Sequence, residues 1–182
     1  QIIDSCPIVV ASSKRAGRAK VASELASPGW CSSKSQYYYG IKLHLLTQAT
    51  KGQMPIPVMA GVSAAREADI RSLSALEGTL EPSQLYADLA YQSQTHSKAL
   101  EQVGVELKTP RKKTQGSYHF EGGCAASRAV SSKRQPIESF FAWLQEKTHF
   151  QNAHRVRSTQ GLLIFVWSSL LVGMLLLCSP PD

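Results

Sequence analysis

The sequence is poor in acidic residues, and above all in aspartate. Among 182 residues, 13 are Asp or Glu and 20 are Lys or Arg, which gives a formal net charge of +7 at pH 7. A basic balance of this size favours a polyanionic partner, with nucleic acid ahead of an acidic membrane surface. Because aspartate is rare here, each one needs an explanation. The aspartates are Asp4, Asp69, Asp88 and Asp182.

The sequence also lacks the cysteine pairs that a zinc site or a disulfide framework needs. Its cysteines are Cys6, Cys31, Cys124 and Cys178, and none belongs to a Cys-x-x-Cys pair. This pattern is typical of reduced thiols in an intracellular protein. The opening, QIIDSCPIVV, has neither a basic start nor a signal-peptide cleavage site, and it has no initiator Met. We therefore expect a fragment that begins directly on a strand.

Hydrophobic patterning predicts strands and helices that alternate after a first hairpin. The predicted strands are 1–10, 37–48, 54–62, 84–90 and 105–109, and the predicted helices are 67–76, 93–103, 136–148 and 158–177. The segments 11–36 and 111–133 have the composition of loops. This order indicates an α/β sheet covered by helices.

Three acidic residues lie at positions where functional sites form in such a sheet. Asp4 and Asp88 end predicted strands, and Glu138 lies early in a predicted helix, beside its apolar face. Ligands bind at the carboxyl ends of strands in open α/β sheets, so neighbouring strands would bring both aspartates into one crevice. Three close carboxylates repel one another unless a cation joins them, and oxygen ligands suit Mg²⁺ or Mn²⁺. Two such ions would activate a water or hydroxyl that attacks a phosphodiester.

Four strings occur in the order IIDSCP, YYYGIKLHLL, LYADLAYQS and RQPIESFFAWLQEK. In this order they resemble the catalytic domain of bacterial insertion-sequence transposases of the DDE type, from Gln1 to about Leu177. The resemblance implies an RNase H-like fold, with a mixed five-stranded sheet flanked by helices, in a single domain over 1–182. It implies that Asp4, Asp88 and Glu138 are catalytic and hold two divalent ions, Mg²⁺ or Mn²⁺. Arg134, four residues before Glu138, matches the family's Arg-x-x-x-Glu motif and is expected to assist at the phosphate.

The resemblance also implies an activity and partners. We expect metal-dependent cleavage of double-stranded DNA at the ends of an insertion sequence, and transfer of the 3′-hydroxyl to target DNA. We expect a homodimer on DNA, no small-molecule cofactor, a bacterial cytoplasmic protein associated with the nucleoid, and a DNA-binding region upstream of Gln1. Eight basic residues are expected to contact the DNA backbone: Lys14, Arg15, Arg18, Lys20, Arg111, Lys112, Lys113 and Lys133.

Departures from the family pattern leave alternatives open. The family often has a Tyr three residues before the Arg and a Lys seven residues after the Glu, whereas this chain has Ser131 and Gln145, with Lys147 displaced by two positions. One alternative is therefore an inactive DNA-binding remnant, and another is a nuclease of the same fold that does not join strands. A third is a small membrane protein anchored by the uncharged stretch 158–181, although we favour a helix buried in the core.

Overall fold

The computed structural model describes residues 1–32, 34–74, 80–110 and 121–179. Within these ranges the chain alternates between strands and helices, as the patterning predicts. The strands are β1 (Ile2–Ala11), β2 (Ser27–Cys31), β3 (Gln36–Gln48), β4 (Ile56–Ala64), β5 (Ser83–Tyr86) and β6 (Val105–Lys108). The helices are α1 (Ser13–Ala16), α2 (Arg71–Ser74), α3 (Gln94–Gln102), α4 (Glu121–Thr148) and α5 (Thr159–Cys178), and a short 3-10 turn covers Leu89–Tyr91.

The strands form a mixed sheet in the order β2-β3-β1-β5-β6, and β4 also pairs with β3. β2 and β3 are antiparallel, whereas the pairs β1–β5 and β5–β6 are parallel. This arrangement confirms the RNase H-like α/β class, with six strands among the described residues where five were expected. The additional strand is β2, whose Ser-Pro-Gly start reads as a loop. Pro and Gly are tolerated there because β2 is the last strand in the order, where one side needs no ladder partner.

Contacts within the chain define two compact units, each with its own buried core. The first unit comprises Gln1–Asp4, Leu46–Val58 and Ala68–Ser139, and the second comprises Ser5–Leu45, Met59–Glu67 and Phe140–Asp182. Fully buried side chains of the first include Leu85, Tyr91 and Leu100, and those of the second include Ile41, Leu43 and Phe150. The single domain over 1–182 stays a prediction.

Helix α4 starts much earlier than the sequence predicted. The prediction of a loop up to residue 133 and a helix beginning at Pro136 was wrong, because α4 runs from Glu121 with Pro136 inside it. Proline lacks an N–H and clashes with the carbonyl four residues before it, so a helix start is where proline is usually found. The predicted apolar face is confirmed, since Ile137, Phe140 and Leu144 are fully buried.

The other predicted elements differ only in length. α3 and β6 are confirmed, β4 pairs with β3 as the hairpin prediction required, and β5 ends at Tyr86. α2 is described only over Arg71–Ser74, and positions 75 and 76 of the predicted helix lie outside the described residues.

Helix α5 confirms the predicted last helix, but its side chains are less buried than predicted. Leu162, Val166 and Leu170 are buried, whereas Ile164 and Leu171 are 60% and 58% exposed. The prediction of a helix buried on all sides was therefore wrong, because only one face of α5 is covered. Within the described part of the chain, α5 is long and apolar enough to cross a membrane, with a mean hydropathy of 2.4 and 28% of its span buried.

Candidate active site

Asp4 lies in β1, and Asp88 follows just after the end of the neighbouring parallel strand β5. β1 and β5 pair with Ile2 opposite Tyr86. Asp4 follows Ile2 by two residues and therefore lies on the same face of β1 as Ile2, whereas Asp88 follows Tyr86 by two residues and lies just past the end of β5. The expectation that these strands are neighbours is confirmed, but two details were wrong. Asp4 lies inside β1 rather than at its end, and Asp88 comes two residues after β5 ends.

The backbone turns directly after Asp88 and fixes its carboxylate. Asp88 is the N-cap of the 3-10 turn, and its Oδ1 accepts a hydrogen bond from the Leu89 N–H at 2.7 Å. The N–H of Tyr91, a fully buried residue, donates to the Asp88 carbonyl at 3.0 Å. A capped carboxylate is held in one orientation. The Asp88 side chain is nonetheless 48% exposed, so it can still reach a ligand from solution.

Arg134 joins the two aspartates to the third acid. Its Nη2 donates to Asp4 Oδ2 at 2.8 Å, and its Nη1 donates to Asp88 Oδ1 at 3.2 Å. Glu138, one helical turn further along α4, places Oε1 at 3.6 Å from the same Nη2. Because Asp4 and Glu138 contact one nitrogen, the separation of their two oxygens cannot exceed the sum of these distances. The three acids therefore converge on a single guanidinium group.

The cluster carries more negative than positive charge. Three carboxylates against one guanidinium leave an excess of two negative charges on a chain that is otherwise basic. Arg134 is only 7% exposed, and its buried Nε has no hydrogen-bond partner among the described residues. A buried charge is stable only where it is paired, so the acids are what allow Arg134 to be buried. The excess charge favours an additional cation at this place.

The donor set fits a hard divalent cation in its chemistry. All the acidic ligands are carboxylate oxygens, which Mg²⁺ and Mn²⁺ prefer. Glu138 is 58% exposed on its side chain, which leaves it free to change rotamer. Among the residues that the structure describes, no three His, Cys, Asp or Glu side chains are grouped so that they could hold one metal ion. The acids are arranged around Arg134 instead, and the metal site stays a prediction.

Glu138 is placed differently from the prediction. It lies in the middle of α4 rather than in the first turns of a helix, because α4 begins at Glu121. Gln145, which stands where the family often has Lys, accepts a hydrogen bond through its Oε1 from the Gln151 N–H at 2.8 Å. Lys147 pairs with the adjacent Glu146 at 3.0 Å. Both side chains thus have local partners near the end of α4.

The predicted DNA-contacting residues fall into three groups. Lys14, Arg15, Arg18 and Lys20 are exposed on α1 and the turn after it, and Lys133 is exposed on α4. Positions 111–113 lie outside the described residues. Arg157 lines a cavity together with Arg15 and Arg18, although it is not among the residues predicted to contact DNA. The signal that could have found it is the short basic run at 154–157.

The mixed sheet, with β1 and β5 parallel and helices beside it, is compatible with an RNase H-like fold. A family model described as a transposase DDE domain matches residues 1–159. The chain belongs to this transposase family. Comparison with curated proteins and with solved structures gave no match. Membership supports a transposase function and implies a DNA substrate, and the family generally uses divalent metal ions.

Proposed function

We propose that this chain is the catalytic domain of an insertion-sequence transposase that cleaves DNA strands and joins them to target DNA with Mg²⁺ or Mn²⁺. The observation that carries the proposal is the convergence of Asp4, Asp88 and Glu138 on the guanidinium of Arg134. Family membership supports DNA as the substrate.

The chemistry is two successive displacements at phosphorus. In cleavage, the oxygen of water attacks the phosphorus, and the bond to the 3′-oxygen breaks, which frees a 3′-hydroxyl. In joining, the oxygen of that hydroxyl attacks the phosphorus of a target phosphodiester, and the bond from this phosphorus to the target's own 3′-oxygen breaks. The target strand is left with a free 3′-hydroxyl, which takes up the proton that the attacking hydroxyl loses. Asp4, Asp88 and Glu138 would hold the ions, and ions bound there would supply activation of the attacking oxygen and stabilisation of the leaving oxygen.

Arg134 has a positioning role in this proposal. Its guanidinium offsets the mutual repulsion of the three carboxylates and so keeps them close together before ions bind. Since Arg134 contacts all three acids, it would give up some of these contacts where the acids hold a cation. The N–H groups released in this way are donors suited to phosphate oxygens, because a guanidinium fork matches phosphate geometry.

Neutralising single acids tests this assignment. Asp88→Asn and Glu138→Gln keep the size of the side chain but remove the charge that would hold a metal ion. We expect each to lower the initial rate of Mn²⁺-dependent nicking of supercoiled plasmid by at least about 100-fold. Joining is measured separately, as insertion of a labelled oligonucleotide with a free 3′-hydroxyl into the plasmid.

Glu101→Gln is the matched control, because Glu101 is an exposed helical glutamate of the same compact unit, on α3. We expect it to nick like the unmodified chain. Calorimetry with Mn²⁺ should show binding that is weakened in Asp88→Asn but not in Glu101→Gln. Full nicking in either site variant would reject the acidic cluster as the reaction centre, and nicking without joining would favour a nuclease.

A DNA-binding remnant is the second candidate. It is favoured by Gln145, whose side chain bonds to the backbone where the family often has a Lys. This candidate predicts salt-sensitive binding of duplex DNA with neither nicking nor joining in Mg²⁺ or Mn²⁺. Any nicking that Asp88→Asn abolishes excludes it.

A further inference from the structure

We propose that a basic cavity of the second compact unit holds the phosphate backbone of duplex DNA, as a site separate from the acidic cluster. The cavity lies between α1 and the segment 154–157. The inference rests on the proposed function in one respect, that DNA is the partner. None of the cavity's residues is Asp4, Asp88, Arg134 or Glu138.

The lining of the cavity is positive. The cavity has a volume of about 410 Å³. Its charged lining residues are all cations, namely Arg15, Arg18, Lys20 and Arg157, and His154 lies beside them. Within the described part of the chain, none of these four cations forms an ion pair with a carboxylate. Their charge is therefore available to an anionic ligand.

Main-chain hydrogen bonds bring the two basic segments together. The Val9 N–H donates to the Gln151 carbonyl at 2.7 Å, and the Ala153 N–H donates to the Val9 carbonyl at 2.9 Å. These bonds fix the chain just before residue 154 against β1, and β1 leads directly into α1. On the other side, the Arg18 N–H donates to the Arg15 carbonyl at 3.0 Å, which closes a tight turn. Main-chain hydrogen bonds thus hold the two positively charged segments close together.

Two of the side chains are oriented before any ligand binds. His154 has its Nδ1 at 3.3 Å from the Val10 carbonyl oxygen, and because a carbonyl only accepts, this nitrogen carries the proton. Arg157 donates from Nη1 to the carbonyls of His154 and Val156, each at 3.2 Å. Side chains that are already ordered lose less entropy when they bind.

The chemistry of the lining selects phosphate. Three guanidinium groups and one ammonium, without an acid among them, match the repeated anionic oxygens of a phosphodiester backbone. Isolated surface charges usually stay solvated. Here, however, charges that lie more than 130 positions apart in the sequence share one cavity. We favour DNA over an anionic lipid surface because the chain belongs to a transposase family.

Paired substitutions with equal loss of charge test the proposal. Arg15→Gln/Arg157→Gln removes two cations from the cavity. Arg71→Gln/Arg155→Gln removes two exposed cations that do not line it, and Arg155 is only two residues from Arg157. Binding of a 20-base-pair duplex of arbitrary sequence by the full chain is measured in EDTA over a series of salt concentrations. We expect the cavity variant to bind about tenfold more weakly at low salt, and the slope of log affinity against log salt to fall by about 2.

The outcomes separate the explanations. A loss confined to the cavity variant, with unchanged thermal unfolding and unchanged Mn²⁺ binding at the acidic cluster, supports the proposal. Equal losses in both double variants overturn it, because total charge alone would then explain binding. Cavity-dependent binding to vesicles of phosphatidylserine and phosphatidylcholine, without an effect on DNA, overturns it in favour of lipid. Because binding is measured without metal, loss of nicking in Asp88→Asn has no bearing on this result.

Discussion

Arg134 is the residue on which the acidic cluster depends, since its guanidinium is the positive charge that Asp4, Asp88 and Glu138 share. Removing one partner of a buried ion pair leaves an uncompensated charge, which is more damaging than losing an exposed pair. The side chain of Arg134 is 9% exposed and that of Asp4 is 15% exposed. The side chains of Asp88 and Glu138 are about half exposed. The contact with Asp4 therefore contributes most.

Arg134→Met tests this dependence, because Met keeps much of the aliphatic volume and removes the charge. We expect the free energy of unfolding to fall by roughly 2 kcal/mol, less than for a fully buried pair because two of the acids are hydrated. The measurement is urea denaturation in EDTA.

Arg128→Met is the control for this substitution, since Arg128 is exposed on the same helix. Its unfolding free energy should change by less than about 0.5 kcal/mol. Mg²⁺ should raise the Tm of Arg134→Met more than that of the unmodified chain, because the released carboxylates can take the ion. Equal destabilisation by both substitutions would contradict the structural role of Arg134.

At the scale of elements, the close approach of β3 to the backbone of β1 constrains the second unit. Gly40 lies in β3, and a Cβ atom built there would overlap the carbonyl oxygen of Ile8 in β1. A flexible side chain could move aside, but a backbone carbonyl in a sheet cannot without breaking the ladder. Only glycine fits this position.

Gly40→Ala should therefore be severely destabilising, by about 3 kcal/mol. Thermal and urea unfolding measure the effect. Gly61→Ala is the matched control, because Gly61 lies in β4 and a Cβ there would meet no atom within 4 Å. We expect it to change stability by less than about 1 kcal/mol. A similar cost at both glycines would disprove the close approach of β1 and β3.

For the whole molecule, the packing of the apolar helix α5 bears on whether the chain is an aqueous protein or a membrane protein. Gly173 allows α5 to lie against Leu144 of α4, since a Cβ at this position would meet Leu144 Cδ1 at 2.5 Å. Ser158 caps the start of α5 by accepting from the Gly161 N–H at 3.1 Å. A helix that crossed a membrane would have to leave α4 and expose the apolar face of that helix.

We therefore expect the chain to be recovered in the aqueous fraction of a lysate without detergent. Leu171→Lys places a charge on the outward face of α5, where Leu171 is 58% exposed. This substitution should leave the distribution between fractions unchanged, because that face does not pack in the core. Recovery in a membrane fraction that resists alkaline carbonate, and its loss in Leu171→Lys, would instead favour the membrane anchor over 158–181.

Much of the fold was predictable because hydrophobic periodicity is a local signal. β1, β3, α3, β6 and α5 occur where alternation or helical spacing predicts them. β2 and the first half of α4 were missed for a local reason. Pro28 and Gly29 mark a loop in most sequences, and Pro136 marks a helix start, yet pairing with β3 and continuity through residue 136 overrode these preferences.

The acids of the candidate site were predictable as well, because few aspartates compete for the role and Glu138 follows Arg134 at the family spacing. What the sequence could not predict is that Arg134 is buried and contacts all three acids. Nor could the sequence predict that Arg15 and Arg157 line the same cavity.

The α/β class, the three acids of the cluster and the basic character of the chain could all be predicted from the residues alone. These depend on residue type and on spacing within short segments, which the linear order contains. Which charges lie close together depends on the folded chain. The parallel register of β1 and β5, and the return of the chain to β1 after α4, bring together residues that are remote in sequence. Electrostatic energy depends on distance in space, so neither the charge excess around Arg134 nor the cluster of cations in the cavity has a signature in any single segment.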